Sequence, residues 1–385
     1  MKTIAVIFGG RSTEHDVSVV TALASIIKPI ELTKQYKVEA IYIAKDGAWY
    51  WDDKLKDIAL FSSGNIQDFL HKTQAASVQF DGGMTLMKAS GIAGRKKITK
   101  VDIVFPAMHG TYGEDGSLMG LLRMANVPFV GCNLEASVLT MDKVLTKQIA
   151  MAHGLSTPKM EFAFAADYSR RPDQFINKIE KNLQYPLFVK PTHLGSSIGI
   201  AHVHDRKELE NAVEVAFHYD QKVLVEEAVQ NLIEVTLPII GNEQLKPALL
   251  ERALTKPNDF FDFDTKYIGQ GKKGGGKKGG EGYSELPAKL SQELYVKAEQ
   301  AGLKTYRVLG CEGIARVDML IDSKTEIVYV NEINPMPGDL YAHNWRAAGV
   351  SNVELVQNLV RFAEERWQRE QQQNTVFSTN YLQQF

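Results

Sequence analysis

The sequence predicts an α/β protein of several domains, with a doubly wound sheet in its N-terminal third. Residues 3–8 form a β-branched and aromatic run that ends at Gly9, and a helical pattern with one apolar face follows. Strand, glycine turn and helix in this order open an α/β unit. At 385 residues the chain is too long for one core, so we expect two or three packed units.

The other elements follow from hydrophobic periodicity and from helix start and stop signals. The predicted strands are 38–44, 101–108, 185–191, 222–229, 233–240, 247–252, 314–321 and 327–332. The predicted helices are one after residues 113–120, 141–154, 205–220, 288–309 and one opened by a capping box of Ser351 and Glu354. The predicted division is an N-terminal domain (1–132), a central domain (133–229), a C-terminal domain (230–370) and a tail (371–385).

Charge and cysteine content exclude several classes of function. The 44 basic and 46 acidic side chains give a formal charge of -2, which provides no net field for nucleic acid or an anionic membrane. Cys132 and Cys311 are the two cysteines, so there is no disulfide framework, and both are expected to be buried in a reducing cytosol. Neither a signal peptide nor a membrane-spanning run is evident, and we expect a cytoplasmic protein.

A glycine- and serine-rich turn lies between two strand-like runs in VKPTHLGSSIGIA, residues 189–201. At Gly195, Ser196 and Ser197, glycine lets backbone N–H groups approach an anion and the hydroxyls add donors, which favours a phosphate site. A plain β-hairpin is the alternative. Lys190 and Lys143 are suitable counter-charges for nucleotide phosphates, although a lone lysine is more often a solvated surface charge.

Three oxygen-bearing side chains converge near the C-terminal end. Asp318 lies on a predicted strand, and Glu332 and Asn334 alternate on its neighbour and so face one side. Magnesium prefers a few carboxylate or amide oxygens and keeps its other positions for phosphate and water. The alternative is a cross-strand salt bridge between Arg316 and one of the acids.

With these residues in place, the chain resembles the D-alanine–D-alanine ligases of the ATP-grasp superfamily. The resemblance rests on seven motifs in order: GGRSTEHDVS (9–18), HGTYGEDGSLMGLL (109–122), MDK (141–143), VKPTHLGSSIG (189–199), FFDFDTKY (260–267), GIARVDML (313–320) and NEINPMPG (331–338). It implies a three-domain ATP-grasp fold with an N-terminal doubly wound pre-ATP-grasp domain. It also implies ATP-dependent ligation of two D-alanines for peptidoglycan precursors, and a homodimer.

The resemblance implies roles for individual substrate-binding and catalytic residues. Glu14 meets the ammonium of the first D-alanine, and with Ser196 and Tyr267 it closes a mobile loop over the site. Arg316 and the backbone at Gly338 stabilise the oxyanion of the reaction. His109, in the second motif, is expected to contact substrate.

The resemblance assigns the nucleotide and metal contacts as well. ATP is contacted by Lys143, Lys190 and Lys266, by the turn at Gly195, Ser196 and Ser197, and by Glu226. Asp318, Glu332 and Asn334 hold magnesium, two ions by this resemblance, with manganese as a substitute.

The sequence departs from the family at two places. Pro335 replaces a threonine, and ungapped counting puts His343 and Asn344 where a hydroxyl residue and its apolar neighbour contact the second substrate. A different acceptor, such as D-lactate, D-serine or another amino acid, is therefore an alternative, although Tyr267 favours an amine. A nucleotide-binding paralogue that does not ligate is a third. The Gly/Lys tract 269–282 lengthens the predicted lid, either as a solvated insertion or as a diffuse phosphate attractant.

Overall fold

The computed structural model describes residues 1–90, 95–254 and 284–385. Within those ranges the strands form four sheets, and each of the three larger sheets packs against a hydrophobic core. No helix in the described ranges has the length and apolar content that crossing a membrane requires.

The N-terminal segment contains a four-stranded, mainly parallel sheet and a separate three-stranded antiparallel sheet. Its strands are β1 (Lys2–Gly9), β2 (Tyr36–Ile43), β3 (Trp49–Trp51), β4 (Ser77–Phe80), β5 (Met84–Ser90), β6 (Arg95–Val101) and β7 (Ile103–Pro106). Its helices are α1 (His15–Val20), α2 (Lys28–Thr33), α3 (Ile58–Ser62), α4 (Ile66–His71) and α5 (Ser117–Met124). A π-helical stretch, Thr21–Ile27, joins α1 to α2, and a 3-10 turn covers Asp53–Lys56.

The sheet order β3-β2-β1-β7, with β1 parallel to both neighbours, confirms the predicted doubly wound opening. Alternate residues of β1 lie in two different apolar clusters: Ile4 and Phe8 pack on one side, and Ala5 and Ile7 on the other. Burial on both faces explains why the strand is an uninterrupted apolar run. The sheet of β4, β5 and β6 was not predicted.

The middle segment is an antiparallel sheet in the order β10-β9-β11-β8, covered by helices. Its strands are β8 (Met160–Phe164), β9 (Leu187–Pro191), β10 (Ala201–Val203) and β11 (Lys222–Glu227). Its helices are α6 (Leu134–Met141), α7 (Lys143–Ala152), α8 (Ala165–Arg170), α9 (Pro172–Asn182) and α10 (Arg206–Tyr219).

The predicted helix at 141–154 has a sharper start than expected. Asp142 leaves the helical conformation after α6, and its carboxylate accepts hydrogen bonds from the N–H groups of Val144 (2.9 Å) and Leu145 (3.0 Å). This N-cap ends one helix and begins the next, so that Lys143 is the first residue of α7. The predicted cap at Asp205 is confirmed by a 2.9 Å bond from the N–H of Glu208.

The C-terminal segment is an antiparallel sheet in the order β15-β14-β12-β16-β17, with β13 paired to β12. Its strands are β12 (Leu232–Gly241), β13 (Lys246–Pro247), β14 (Glu251–Ala253), β15 (Ser284–Glu285), β16 (Gly313–Asp322) and β17 (Ile327–Asn334). Its helices are α11 (Gln292–Val308), α12 (Ala342–Ala347) and α13 (Asn352–Gln371), with a 3-10 turn at Gly338–Tyr341. Residues 371–385 are exposed and include a 3-10 turn at Tyr381–Gln384.

The N-terminal and C-terminal segments share a buried junction. Cys132 and Cys311 are both buried there, as predicted. Arg366 of α13 is 3% exposed, and its guanidinium donates to the backbone carbonyl oxygens of Gly131 (2.5 Å) and Phe129. Two carbonyls that no strand satisfies are thereby paired, which ties α13 to the end of the N-terminal segment.

We expect Arg366→Ala to lower the free energy of unfolding by about 2–3 kcal/mol, because it leaves buried carbonyl groups without a partner. The control is Arg361→Ala on the same helix, where an exposed pair with Glu365 is lost at a cost below about 0.5 kcal/mol. Urea unfolding followed by circular dichroism measures both. Equal stability of the two variants would contradict the role given to Arg366.

Candidate active site

The predicted metal ligands lie together on the β16–β17 hairpin. Asp318 is directly opposite Glu332, and Arg316 is opposite Asn334. A β-bulge shifts the register after Asp318, so that Asn331 is the extra residue of β17. Val330 and Ile333 are buried, whereas Asn331, Glu332 and Asn334 are partly exposed. The bulge therefore adds one polar residue to the face that carries the acids.

Arg316 holds Asp318 in place. The guanidinium donates to both carboxylate oxygens, at 2.8 and 2.6 Å, and the side-chain amide of Asn334 adds a 3.0 Å bond to the same carboxylate. The alternative, a salt bridge between Arg316 and an acid, is thus formed, but between two residues of the same strand. It occurs together with the convergence of the three oxygen-bearing side chains. Both interpretations of the sequence describe the same cluster.

The chemistry of this cluster fits a magnesium ion. It offers two carboxylates and one amide on neighbouring strands, which are the oxygen ligands that magnesium takes in small number. The described residues contain no group of three or more His, Cys, Asp or Glu side chains suited to a metal. That finding excludes a zinc-like site there, but not an ion held by Asp318, Glu332 and Asn334.

Lys143 connects the metal-ligand hairpin with the residues just before the serine turn, the name used here for residues 195–199. The ammonium donates to the carbonyl oxygen of Leu194 at 2.7 Å and lies 3.4 Å from the carboxylate of Glu332. Its backbone N–H bonds to the carbonyl oxygen of Thr192 at 3.3 Å. The first residue of α7 thus contacts both halves of the site, and its charge is buried.

The serine turn is strained and reaches the N-terminal segment. Ser196 and Ser197 have left-handed backbones, with φ of 55° and 59°, which costs free energy for residues other than glycine. The hydroxyl of Ser196 donates to the carboxylate of Glu14. A Cβ at Gly195 would lie 3.0 Å from that carboxylate, so a side chain there would have to displace Glu14. The structure thus brings together three of the predicted residues from two distant motifs.

Glu14 is buried, and burial together with the nearby charge of Glu114 raises the pKa of Glu14 above its ordinary value. Glu114 was not singled out from the sequence, although it belongs to the second motif. It accepts a 2.6 Å bond from the N–H of Gly110 and a 3.3 Å bond from that of Met336. A ligand ammonium in this pocket would meet two carboxylates that repel each other in its absence.

His109 lies in the same pocket. Its Nε2 is 3.0 Å from the hydroxyl of Thr21, and its Nδ1 is 3.8 Å from the carboxylate of Glu114. Burial lowers the pKa of His109, but the hydrogen bond and the charge of Glu114 outweigh burial, so the pKa lies above its ordinary value. Glu114 and, through its charge, Glu14 thus favour the protonated form of the ring.

Lys190 and Glu226 form a buried charge cluster with Lys147, a residue that was not predicted from the sequence. Lys190 is 2.5 Å and Lys147 2.9 Å from the two carboxylate oxygens of Glu226, and Lys190 is also 3.3 Å from the amide oxygen of Asn331. Burial raises the pKa of Glu226, but the two lysines outweigh it and lower that pKa to about 2. The cluster is cationic overall, as a nucleotide site requires.

Gly338 begins a turn with an unusual backbone. Asp339, Leu340 and Tyr341 follow it with φ of 54°, 51° and 54°, three successive left-handed residues that are not glycine. The turn is tied to the N-terminal segment by a 2.9 Å bond from the N–H of Asp339 to the hydroxyl of Thr21. The ring of Tyr341 lies 5.2 Å from the guanidinium carbon of Arg316, which places this turn beside the predicted oxyanion site.

The two departures from the family have different surroundings. His343 is exposed, and its Nε2 is 2.8 Å from the carboxylate of Glu251 on β14. Asn344 is fully buried, and its amide exchanges hydrogen bonds with the backbone of Leu249 at 3.0 and 2.9 Å. The amide of Asn344 is thus bound to the backbone, and the ring of His343 is held by Glu251. Lys266, Tyr267 and the tract 269–282 lie outside the described residues.

Known proteins match this chain along most of its length. The family model described as D-ala D-ala ligase N-terminus matches residues 3–132, and the one described as D-ala D-ala ligase C-terminus matches residues 149–361. The D-alanine–D-alanine ligase of Clostridium novyi is 35% identical over 369 residues, covering 95% of this chain and 98% of the relative. That of Chloroherpeton thalassium is 34% identical over 373 residues, covering 95% and 97%.

Solved structures agree with these matches. The D-alanine–D-alanine ligase of Coxiella burnetii has a TM-score of 0.78 at 27% identity and covers 96% of both chains. The VanG D-Ala:D-Ser ligase of Enterococcus faecalis has a TM-score of 0.77 at 30% identity, covering 94% of this chain and 99% of that one. The similarity confirms the ATP-grasp fold with an N-terminal domain.

We expect Glu226→Gln to destabilise the protein by about 3 kcal/mol, because it removes the anion between two buried ammonium groups. With a folded pKa of about 2 against an ordinary 4.5, the carboxylate contributes stability above pH 4.5 and loses it as the pH falls toward 2. The control is Glu227→Gln, the next residue of β11, which pairs with the exposed Lys159 at 3.7 Å. Urea unfolding at neutral pH should separate the two variants; a smaller loss for Glu226→Gln would contradict the assignment.

Proposed function

The chain belongs to the D-alanine–D-alanine ligase family, and on that basis we propose that it joins two D-alanines at the expense of ATP through an acylphosphate. The observation that carries the proposal is the contact network around Lys143. It joins the serine turn, the Glu14 pocket and the Arg316, Asp318 and Glu332 cluster into one site. A reaction between two anions needs donors and cations from all of these parts.

In the proposed first step, a carboxylate oxygen of the first D-alanine attacks the γ-phosphorus of ATP, and ADP leaves. Glu14 binds the ammonium group of this D-alanine, and Lys143, Lys190 and the serine turn bind the phosphates. The cationic side chains offset the repulsion between carboxylate and triphosphate. Glu226 binds the adenosine end, with Lys147 holding its carboxylate in place.

In the proposed second step, the amine nitrogen of the second D-alanine attacks the acyl carbon, and inorganic phosphate leaves as the peptide bond forms. Arg316 and the backbone N–H at Gly338 stabilise the oxyanion. Asp318, Glu332 and Asn334 are the residues that would hold magnesium, or manganese in its place. Such an ion neutralises phosphate charge when bound. Lys266 and Tyr267 stay predictions of nucleotide contact and lid closure.

The cellular setting is part of the same proposal. The family resemblance supports a cytoplasmic homodimer that supplies D-alanyl-D-alanine to peptidoglycan synthesis. The near-neutral formal charge of -2 supports a small-molecule substrate rather than nucleic acid or membrane.

One observation favours a second candidate, a ligase with another acceptor. His343 stands near the turn at Gly338 and is held by Glu251 at 2.8 Å, where the family resemblance implies a hydroxyl residue. One solved relative, VanG, is described as a D-Ala:D-Ser ligase. An imidazole beside the acceptor can donate to a carboxylate or to an additional hydroxyl, so D-serine is the acceptor to compare first.

The first prediction from the proposed function concerns the reaction itself. Purified protein with MgATP and D-alanine should release phosphate in an amount equal to the dipeptide formed, measured by phosphate assay and mass spectrometry. Phosphate release that does not depend on D-alanine would contradict the proposal.

The second prediction concerns the metal-ligand hairpin. Glu332→Gln should lower kcat by at least about a hundredfold, because a neutral amide weakens the hold on magnesium. Glu326→Gln, at the exposed end of the same hairpin, should keep normal rates. If Glu332 has only a structural role, Glu332→Gln will instead lose stability while each folded molecule keeps its normal turnover. That result would contradict the prediction.

The third prediction concerns the acceptor. His343→Ser should change the ratio of kcat/KM between D-alanine and D-serine as second substrate by about tenfold, since a lost hydrogen bond at a recognition site costs roughly 1.4 kcal/mol. Competition assays with both amino acids measure this ratio. An unchanged ratio would mean that His343 does not contact the acceptor.

A further inference from the structure

His193 lies two residues before the serine turn, and its ring contacts two carboxylates from different elements. Its Nδ1 lies 3.0 Å from both oxygens of Asp220, and its Nε2 lies 3.3 Å from an oxygen of Asp142. Its backbone N–H also donates to Asp220 at 2.6 Å. Asp142 is the N-cap of α7, and Asp220 follows the end of α10.

This arrangement requires a charged ring. A neutral imidazole has one donor nitrogen and one acceptor nitrogen, so one of the two carboxylates would face a lone pair. An imidazolium donates to both. The other charged group of the cluster is Lys222 of β11, whose ammonium lies 2.8 Å from Asp142. Two carboxylates, one ammonium and one imidazolium leave the cluster without net charge.

The ring lies next to two parts of the proposed nucleotide site. Leu194, the next residue, accepts the hydrogen bond from the Lys143 ammonium, and Lys143 directly follows Asp142. The strained pair Ser196 and Ser197 comes two residues later. Backbone strain of this kind persists only where the surroundings hold the chain in place.

We propose that His193, as an imidazolium bound between Asp142 and Asp220, is a positioning residue that clamps the serine turn to the start of α7 for ATP binding. The inference rests on the proposed function only in naming ATP as the ligand. The clamp itself acts through Leu194 and Asp142 and does not touch substrate.

The clamp has a defined pH range. Hydrogen bonds from Asp142 and Asp220 raise the pKa of His193 to about 9. Burial raises the pKa of Asp142, but His193 and Lys222 outweigh it and keep that pKa well below its ordinary value, so the carboxylate stays ionised. A raised folded pKa means that the charged ring contributes its full stability below the unfolded pKa of about 6.5, and that this contribution is lost as the pH rises through about 9.

The test compares His193→Gln, which is neutral at every pH, with His193→Arg, which stays charged. The matched control is His204→Gln, a more exposed histidine of the same segment that faces one acid, Glu208, at 3.3 Å. The primary readout is the affinity for ADP with magnesium in the absence of D-alanine, since this excludes the titration of the substrate amine. The KM for ATP and kcat are measured in parallel.

We expect His193→Gln to weaken ADP binding and raise the KM for ATP about five- to tenfold at pH 7.5, with kcat within about twofold. The wild type should approach the Gln variant as the pH passes about 9, and His193→Arg should retain affinity without that transition. His204→Gln should match the wild type throughout. NMR of the His193 ring, assigned by its absence in the Gln variant, should report the raised pKa directly.

Unchanged ADP affinity in His193→Gln, or a ring that titrates at an ordinary histidine pKa, overturns the inference. A fall in thermal stability with no change in ADP affinity per folded molecule also overturns it, because it would show a purely structural role. ADP binding that behaves as expected, without any D-alanine-dependent phosphate release, would sustain the clamp while refuting the proposed reaction.

Discussion

The buried ammonium of Lys143 is the contact on which the candidate active site depends. It is bonded to the carbonyl oxygen of Leu194 and faces Glu332, so one side chain relates the serine turn to the metal-ligand hairpin. Burying a cation costs free energy unless neighbouring groups pair with its charge. The positions of these neighbours therefore depend on one another. Asp142, which caps the helix that begins at Lys143, extends this constraint to Lys222 and His193.

The site consists of compensated charges rather than isolated functional groups. Asp318 is matched by Arg316, Glu226 by two lysines, and Glu14 by the hydroxyl of Ser196 with His109 nearby. Binding of an ammonium group or a phosphate would exchange one such partner for another. The β-bulge after Asp318 serves the same end, because it turns Asn331 as well as Glu332 toward the cations of the middle segment.

Strands with a clear apolar pattern could be predicted from the sequence, as β1, β16 and β17 show. The sheet of β4 to β6 was missed because few of its described residues, Met84, Leu86 and Val101, are fully buried and mark an apolar face. Among site residues, Glu14, Ser196 and Asp318 were reached through motifs. Lys147, Glu114 and His193 were not predicted as site residues, because their roles depend on burial and on partners up to 222 positions away. The bond between Asn344 and Leu249 was equally hidden, because a contact between residues 95 positions apart leaves no local signal.

The most direct test of the account follows the oxygen atoms of the first substrate. D-alanine labelled with ¹⁸O in its carboxylate is incubated with MgATP and the purified protein in unlabelled water, and the phosphate is analysed by mass spectrometry. If the carboxylate accepts the γ-phosphoryl group, one labelled oxygen passes to phosphate for each dipeptide formed. Unlabelled phosphate released alongside dipeptide would show that no acylphosphate forms, and would contradict the role given to this cluster of charges.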